Sequence, residues 1–322
     1  MDSSKMIESA IGLYVDADLS ARCLSNHLSL NLTQLNGIDK TDLDHLTRFH
    51  ASDIATQEQL LNEDDELILQ TILAVMRDAA QAEDVLICVS SLLCGILVER
   101  RAEYAPTLVR MIKRKDESID VVQILMRFIS GSSVYHQAIV DNCLLSLAIV
   151  FGEMGSKNDL TQVEQFIATI LQTNSENRRM SILGITSAMM HVFRLERMRT
   201  FFCESRGLNI LLQAMDKHTR DIQIMYNCLF CLWLISYNKD CIHFFESEEY
   251  RIIKRMTKVI HVVSREKVVR MAMGTLTNLA NSPQAIENMI EAGLQKELDA
   301  LMKRNYKDKD IVDDLENMGE VI

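Results

Sequence analysis

Two prolines, eleven glycines and one tryptophan are all that 322 residues contain of these three types. So few turn-formers exclude an all-β protein, whose many hairpins would need them. No run approaches the roughly 18 uninterrupted apolar residues that a membrane span requires, and the opening MDSSKMIESA lacks the regions of a signal peptide. Phosphate-loop, nucleophile-elbow, HExxH and dinucleotide motifs are all missing. The nearest approach, Gly152-Glu153-Met154-Gly155-Ser156-Lys157, has the wrong spacing for a phosphate loop. No catalytic residue and no cofactor site is assigned.

What remains is apolar and helical. Hydrophobic residues make up 48% of the chain and methionines number eighteen, which favours helix on propensity. The expected fold class is all-α. The net charge of −11 resides at the front: residues 1–84 hold sixteen acidic side chains against five basic ones, and the rest is balanced. An acidic total disfavours nucleic acid as a partner, and the acidic front reads as a solvated helical face.

The stretch 221–280 shows the architecture most clearly. Asp221–Asp240 is apolar around nearly its whole circumference, so its helix must be enclosed by others. Next comes an amphipathic segment with Ile252, Met256, Val259, Ile260 and Val263 on one stripe, then a second, mostly apolar segment. Phe201-Phe202 and Phe244-Phe245 are 43 residues apart, Tyr226 and Arg270 are 44 apart, as are Asn238 and Ser282, and Gly207 and Gly293 are 86 apart. Periods of roughly 40–47 residues mark HEAT and armadillo arrays. The expectation is therefore an α-solenoid of stacked helical repeats over 1–302, with Trp233 enclosed, followed by a charged terminal segment over 303–322 lying outside the array.

Earlier in the chain, apolar spacing predicts helices within 6–35, from Thr41 onward, and after the acidic start Asn62–Glu66. Val85–Val98 reads as an inner helix. A new helix is expected to begin at Pro106, with others over Val121–Ser130, Ala138–Gly152 and Asp159–Leu171. A turn is expected at Asn174–Asn177, then a helical stretch Arg179–Arg194, and Ser282-Pro283 opens a late helix.

Of the eight cysteines, Cys88, Cys94, Cys143, Cys228 and Cys231 lie in apolar segments, as free buried thiols do in a reducing compartment. Cys228-x-x-Cys231 with Cys241 and His243 offers zinc-ligand types. The pair lies mid-helix between Met225 and Trp233, however, so these are read as core residues and no metal is assigned. The functional candidate is the basic run Arg251, Lys254, Arg255, Lys258, Arg265, Lys267 and Arg270, interrupted by one acid, Glu266. It is either a solvated face or a landing strip for an acidic helix or peptide, since solenoids bind extended partners along such surfaces.

Gln223-Ile224-Met225-Tyr226, Leu232-Trp233-Leu234-Ile235-Ser236-Tyr237-Asn238 and Arg265-Glu266-Lys267-Val268-Val269-Arg270 together resemble the core of the H subunit of the vacuolar-type proton ATPase. Arg199–Gly207 fits the same family upstream, Tyr306–Asp314 resembles the acidic segment closing its N-terminal domain, and Leu24–Phe49 is a weaker echo. The resemblance implies a non-catalytic regulatory subunit. It implies docking on the E–G peripheral stalk beside the soluble catalytic sector, at the cytosolic face of endomembranes and without membrane insertion. It also implies help in coupling ATP hydrolysis to proton transport. Members continue into a second helical domain linked to inhibition of the detached sector, and that domain is expected just where this sequence stops. The alternative is an armadillo-type peptide-binding adaptor. Such import receptors line their groove with recurring Trp and Asn, whereas Trp233 is alone here.

Overall fold

A computed structural model describes residues 65–78, 81–114, 119–155, 158–174, 180–304 and 306–322. The expected helices before residue 62, the Leu24–Phe49 echo and most of the expected Asn174–Asn177 turn lie outside these residues. The described residues form sixteen α-helices and no strand. Packing divides the chain into two compact units, one ending at Val192 and one spanning Phe193–Ile322.

The first unit contains α1 (Asp65–Arg77), α2 (Glu83–Glu99), α3 (Arg101–Arg114), α4 (Val121–Ser130), α5 (Gln137–Gly152), α6 (Thr161–Asn174) and α7 (Ile182–Val192). Its centre is α5, buried from Ile139 to Phe151 save for Asp141 and Asn142, and packed between α2 and α7. An all-round apolar helix has no face to offer water, so neighbours must enclose it. The two polar exceptions are put to use. Asn142 donates to Ser91 Oγ at 2.9 Å, and Asp141 Oδ1 accepts from the Ser181 amide at 3.0 Å. Gly184 on α7 makes the second contact possible, because a Cβ there would stand 2.6 Å from that same Asp141 oxygen.

Pro106 does not begin a helix, contrary to the sequence expectation. It sits inside α3, which starts at Arg101. The Arg100 carbonyl already accepts from the amides of Glu103 and Tyr104, and Tyr104 and Ala105 are buried. Burying that first turn outweighs one missing hydrogen bond next to the helix start.

The second unit is regular. It contains α8 (Glu196–Glu204), α9 (Leu208–Lys217), α10 (Ile222–Ser236), α11 (Ile242–Glu246, led in by a 3-10 turn at Lys239–Cys241), α12 (Ile252–Val262), α13 (Glu266–Leu279), α14 (Pro283–Glu291), α15 (Leu294–Met302) and α16 (Lys309–Val321). These are three copies of one three-helix unit. The third helices α10, α13 and α16 begin at 222, 266 and 309, and α10 packs on α13, which packs on α16. Three helices in roughly 43 residues is the armadillo form of the solenoid repeat.

Hydrogen bonds between repeats recur at the same register. Asn238 accepts from the Asp240 amide and donates to Thr200 Oγ1 at 2.9 Å. Its counterpart Ser282 caps α14 and donates to Glu246. Asn278 reaches Ser236 Oγ at 2.9 Å, 42 residues back. A left-handed residue also recurs, between the first and second helices of each repeat: Arg206 at φ 61°, Arg251 at φ 49° and Gly293 at φ 75°.

The expected terminal segment belongs to this stack and does not lie outside it. In α16, Ile311, Leu315 and Met318 are buried at helical spacing against α13 and α15. Asp314, on the same helix, is brought toward Gly274 of α13, and burial beside Asp310, Asp313 and Asp308 raises its pKa to about 6. Trp233 is 5% exposed, with Gly274 leaving room for its indole ring.

Candidate functional site

The basic run is divided between α12, which carries Lys254, Arg255 and Lys258 behind Arg251, and α13, which carries Lys267 and Arg270 behind Arg265, and its members do different things. Arg255 turns back to the preceding repeat, where its Nη2 lies 3.2 Å from Asp216 Oδ2 on α9, and it also donates to the Tyr250 carbonyl. Lys267 donates to Gln223 Oε1 at 3.3 Å with its ammonium 5.2 Å from the Tyr226 ring centre. Arg270 reaches forward, 3.2 Å from Asp308 and 3.7 Å from Asp310. These three cations tie consecutive repeats together. Arg251 makes only an exposed pair with Glu248 at 3.4 Å, of a kind worth little in water. Lys254, Lys258 and Arg265 are exposed and make no ion pair among the described residues.

Two clefts flank α12. One, about 160 Å³, lies between α12 and α14 and is lined by Phe245, Glu248, Arg251, Lys254, Asn288 and Glu291. The other, about 220 Å³, lies between α9 and α12. Met215, Met225, Val259 and Val263 give it an apolar floor, and Lys258 and the Arg255–Asp216 pair form its rim. Lys217 and Arg220 of the preceding repeat, both exposed, directly follow its lining residues Asp216 and Thr219 in the chain. Sequence reading missed them because they stand far from the basic run.

The cysteine constellation is not gathered into one place. Cys228 and Cys231 are wholly buried in α10, where burial pushes the Cys228 thiol up to about 12 and Cys231 well above its ordinary value. Cys241 instead lies 3.9 Å from Thr200 Oγ1. His191, in the first unit, has its pKa lowered to about 3 by burial and then by Arg101, which leaves a neutral imidazole. Gly152 of the phosphate-loop-like sequence ends α5, with no strand before it. The α9–α12 cleft offers an apolar floor beneath a charged rim, suited to holding a protein segment, whereas the α12–α14 cleft is lined mostly by polar and charged side chains.

The family model for the N-terminal part of the V-ATPase H subunit matches residues 31–322. The chain belongs to the V-ATPase H subunit family. Among curated relatives, the V-type proton ATPase H subunit of Dictyostelium discoideum is 26% identical over 208 residues, covering 64% of this chain and 45% of the relative. That of Drosophila melanogaster is 23% identical, covering 51% and 35%, and a probable V-type proton ATPase H subunit of Caenorhabditis elegans is 28% identical, covering 42% and 31%. The matches span less than half the length of each of these relatives. Two engineered proteins of known crystal structure share the fold, with TM-scores of 0.59 and 0.56 at 13% and 14% identity. The first alignment covers 80% of this chain and 96% of the other, the second 79% and 97%. Among the described residues of this V-ATPase H subunit family member, no helix is long and apolar enough to cross a membrane.

Proposed function

We propose that this chain is a non-catalytic regulatory subunit of a V-type proton-translocating ATPase. It docks on the E–G peripheral stalk, peripheral to the cytosolic face of an endomembrane, and helps couple ATP hydrolysis in the soluble sector to proton transport. The observation that carries this reading is the family match across residues 31–322. The second unit adds support: α12 presents Lys254 and Lys258 one turn apart, with Arg265 just beyond its end and no acidic partner for any of the three among the described residues. Outward cations beside the apolar floor of the α9–α12 cleft suit a partner with carboxylates and buried apolar anchors. The peptide-adaptor alternative gains nothing from Trp233, whose ring is enclosed.

The test adds the purified chain to V-ATPase membranes stripped of their own H subunit and follows both binding and ATP-driven acidification. Binding that raises proton pumping, and that weakens with salt because exposed charges are screened over roughly 8–10 Å, supports the proposal. Capture of soluble peptides with no binding to the stripped pump would favour the adaptor.

A further inference from the structure

The cleft between α9 and α12 has a shape and a charge that narrow down what docks there. At about 220 Å³ it is smaller than the roughly 300–1,000 Å³ typical of small-molecule sites. It is large enough for one or two bulky side chains. Its floor is aliphatic and methionine, without the aromatic platform on which bases would stack. At its lip stands Val262, 63% exposed on the outward side of α12. A lone exposed valine means little by itself, but this one continues an apolar floor outward.

The charges around the cleft are unequal. Exposed Lys258 lines it, and exposed Lys217, Arg220 and Arg265 stand within two residues of its lining residues Asp216, Thr219 and Val263 in the chain. Of the nearby acids, Asp216 is held by Arg255, and Asp221 caps α10 through the amides of Gln223 and Ile224. His261, beside Val262, turns to Glu297 at 3.0 Å. Within the stretches 215–221 and 255–266 that border the cleft, Glu266 is the one other acid, and it is exposed.

We infer that this cleft receives an acidic amphipathic helical segment of a partner protein, with one bulky apolar side chain seated between Val262 and the methionines. Its carboxylates then face Lys258, Lys217, Arg220 and Arg265. The inference rests on the proposed function, because the segment is taken to belong to the pump. An anionic bilayer is the competing source of the same charge, but a flat surface cannot enter a concavity whose apolar atoms lie mostly on its floor.

The experiment uses the whole chain carrying a benzoylphenylalanine photocrosslinker at position 262, bound to V-ATPase stripped of its own H subunit, with the crosslinked segment sequenced. The expected product is a protein segment rich in Asp and Glu with a bulky apolar residue at the crosslink. Val262→Asp and Lys258→Glu should each weaken binding about tenfold, with unchanged circular dichroism and unchanged urea unfolding. If the unmodified chain binds but position 262 crosslinks to lipid, to a segment without acids or to nothing, the cleft assignment is wrong and the functional proposal stands. It is equally wrong if Lys254→Glu abolishes binding while both cleft variants bind normally. A chain that fails to bind the stripped pump at all overturns both.

Discussion

Replacing Asn238 by alanine tests whether the repeats of the second unit hold one another through recurring polar links. The Asn238 side chain is 4% exposed and makes two kinds of bond at once. Its oxygen accepts from the Asp240 amide at 3.0 Å, capping the turn into α11, and its nitrogen donates to Thr200 Oγ1 of the preceding repeat at 2.9 Å. Losing a cap costs about 1 kcal/mol. Leaving a partly buried hydroxyl without its donor costs about 1–3 kcal/mol. The expected loss is about 2 kcal/mol, a fall of roughly 0.8 M in the urea midpoint for a unit of this size. The single Trp233, in the same repeat as Thr200 and near Asn238, gives a local fluorescence signal for the second unit. Thr200→Val should cost about 1 kcal/mol, and the double variant should cost less than the sum because both changes cut one bond. A loss under 0.5 kcal/mol, or strict additivity, would refute the idea that this link joins the repeats.

Three further predictions come from the same unit. Leu315→Ala should cost about 2–4 kcal/mol if α16 is the third helix of its repeat, and a urea midpoint matching the parent would return 303–322 to the terminal segment first expected. Asp314→Asn should stabilise the protein by about 1 kcal/mol near pH 7.5, less than the full shift because the carboxyl is partly solvated. The folded-state pKa is raised, so the benefit is full above pH 6 and fades as pH falls toward 4; thermal melts across that range check its sign. Arg251→Gly removes a side chain from the left-handed region at φ 49° and should raise stability by about 0.5–1 kcal/mol, whereas a decrease would show that the exposed pair with Glu248 outweighs the backbone.

The most apolar helices were the most legible in the sequence. Cys228, Leu229, Leu232 and Leu234 leave α10 no wet face, the Asn238–Ser282 spacing announced the period, and Ser282-Pro283 announced a helix start. In α16 the stripe of Ile311, Leu315 and Met318 has perfect helical spacing, but five acids among thirteen residues hid it. Pro106 misled because the tertiary burial of Tyr104 and Ala105 decides where α3 starts. Arg206 and Arg251 occupy left-handed positions that glycine would announce, and no local signal marks an arginine there.

Of the candidate site, sequence alone found the cations of the basic run but neither their partners nor Lys217 and Arg220. Lys254, Arg255 and Lys258 look equivalent as a string. Only the three-dimensional structure shows that Arg255 of α12 belongs to Asp216 of α9 and that the others are exposed. Contacts one repeat away carry that distinction, and they become readable only once the period is known.

The most direct measurement of the central claim is ATP-driven acidification by V-ATPase vesicles stripped of their own H subunit, titrated with this chain and with its Lys254→Glu, Lys258→Glu, Arg265→Glu variant. The parent chain should bind and raise proton pumping, and the variant, equally folded, should need at least about tenfold more protein for the same effect. Pumping unchanged by saturating parent chain, or raised equally by both proteins, would contradict that claim.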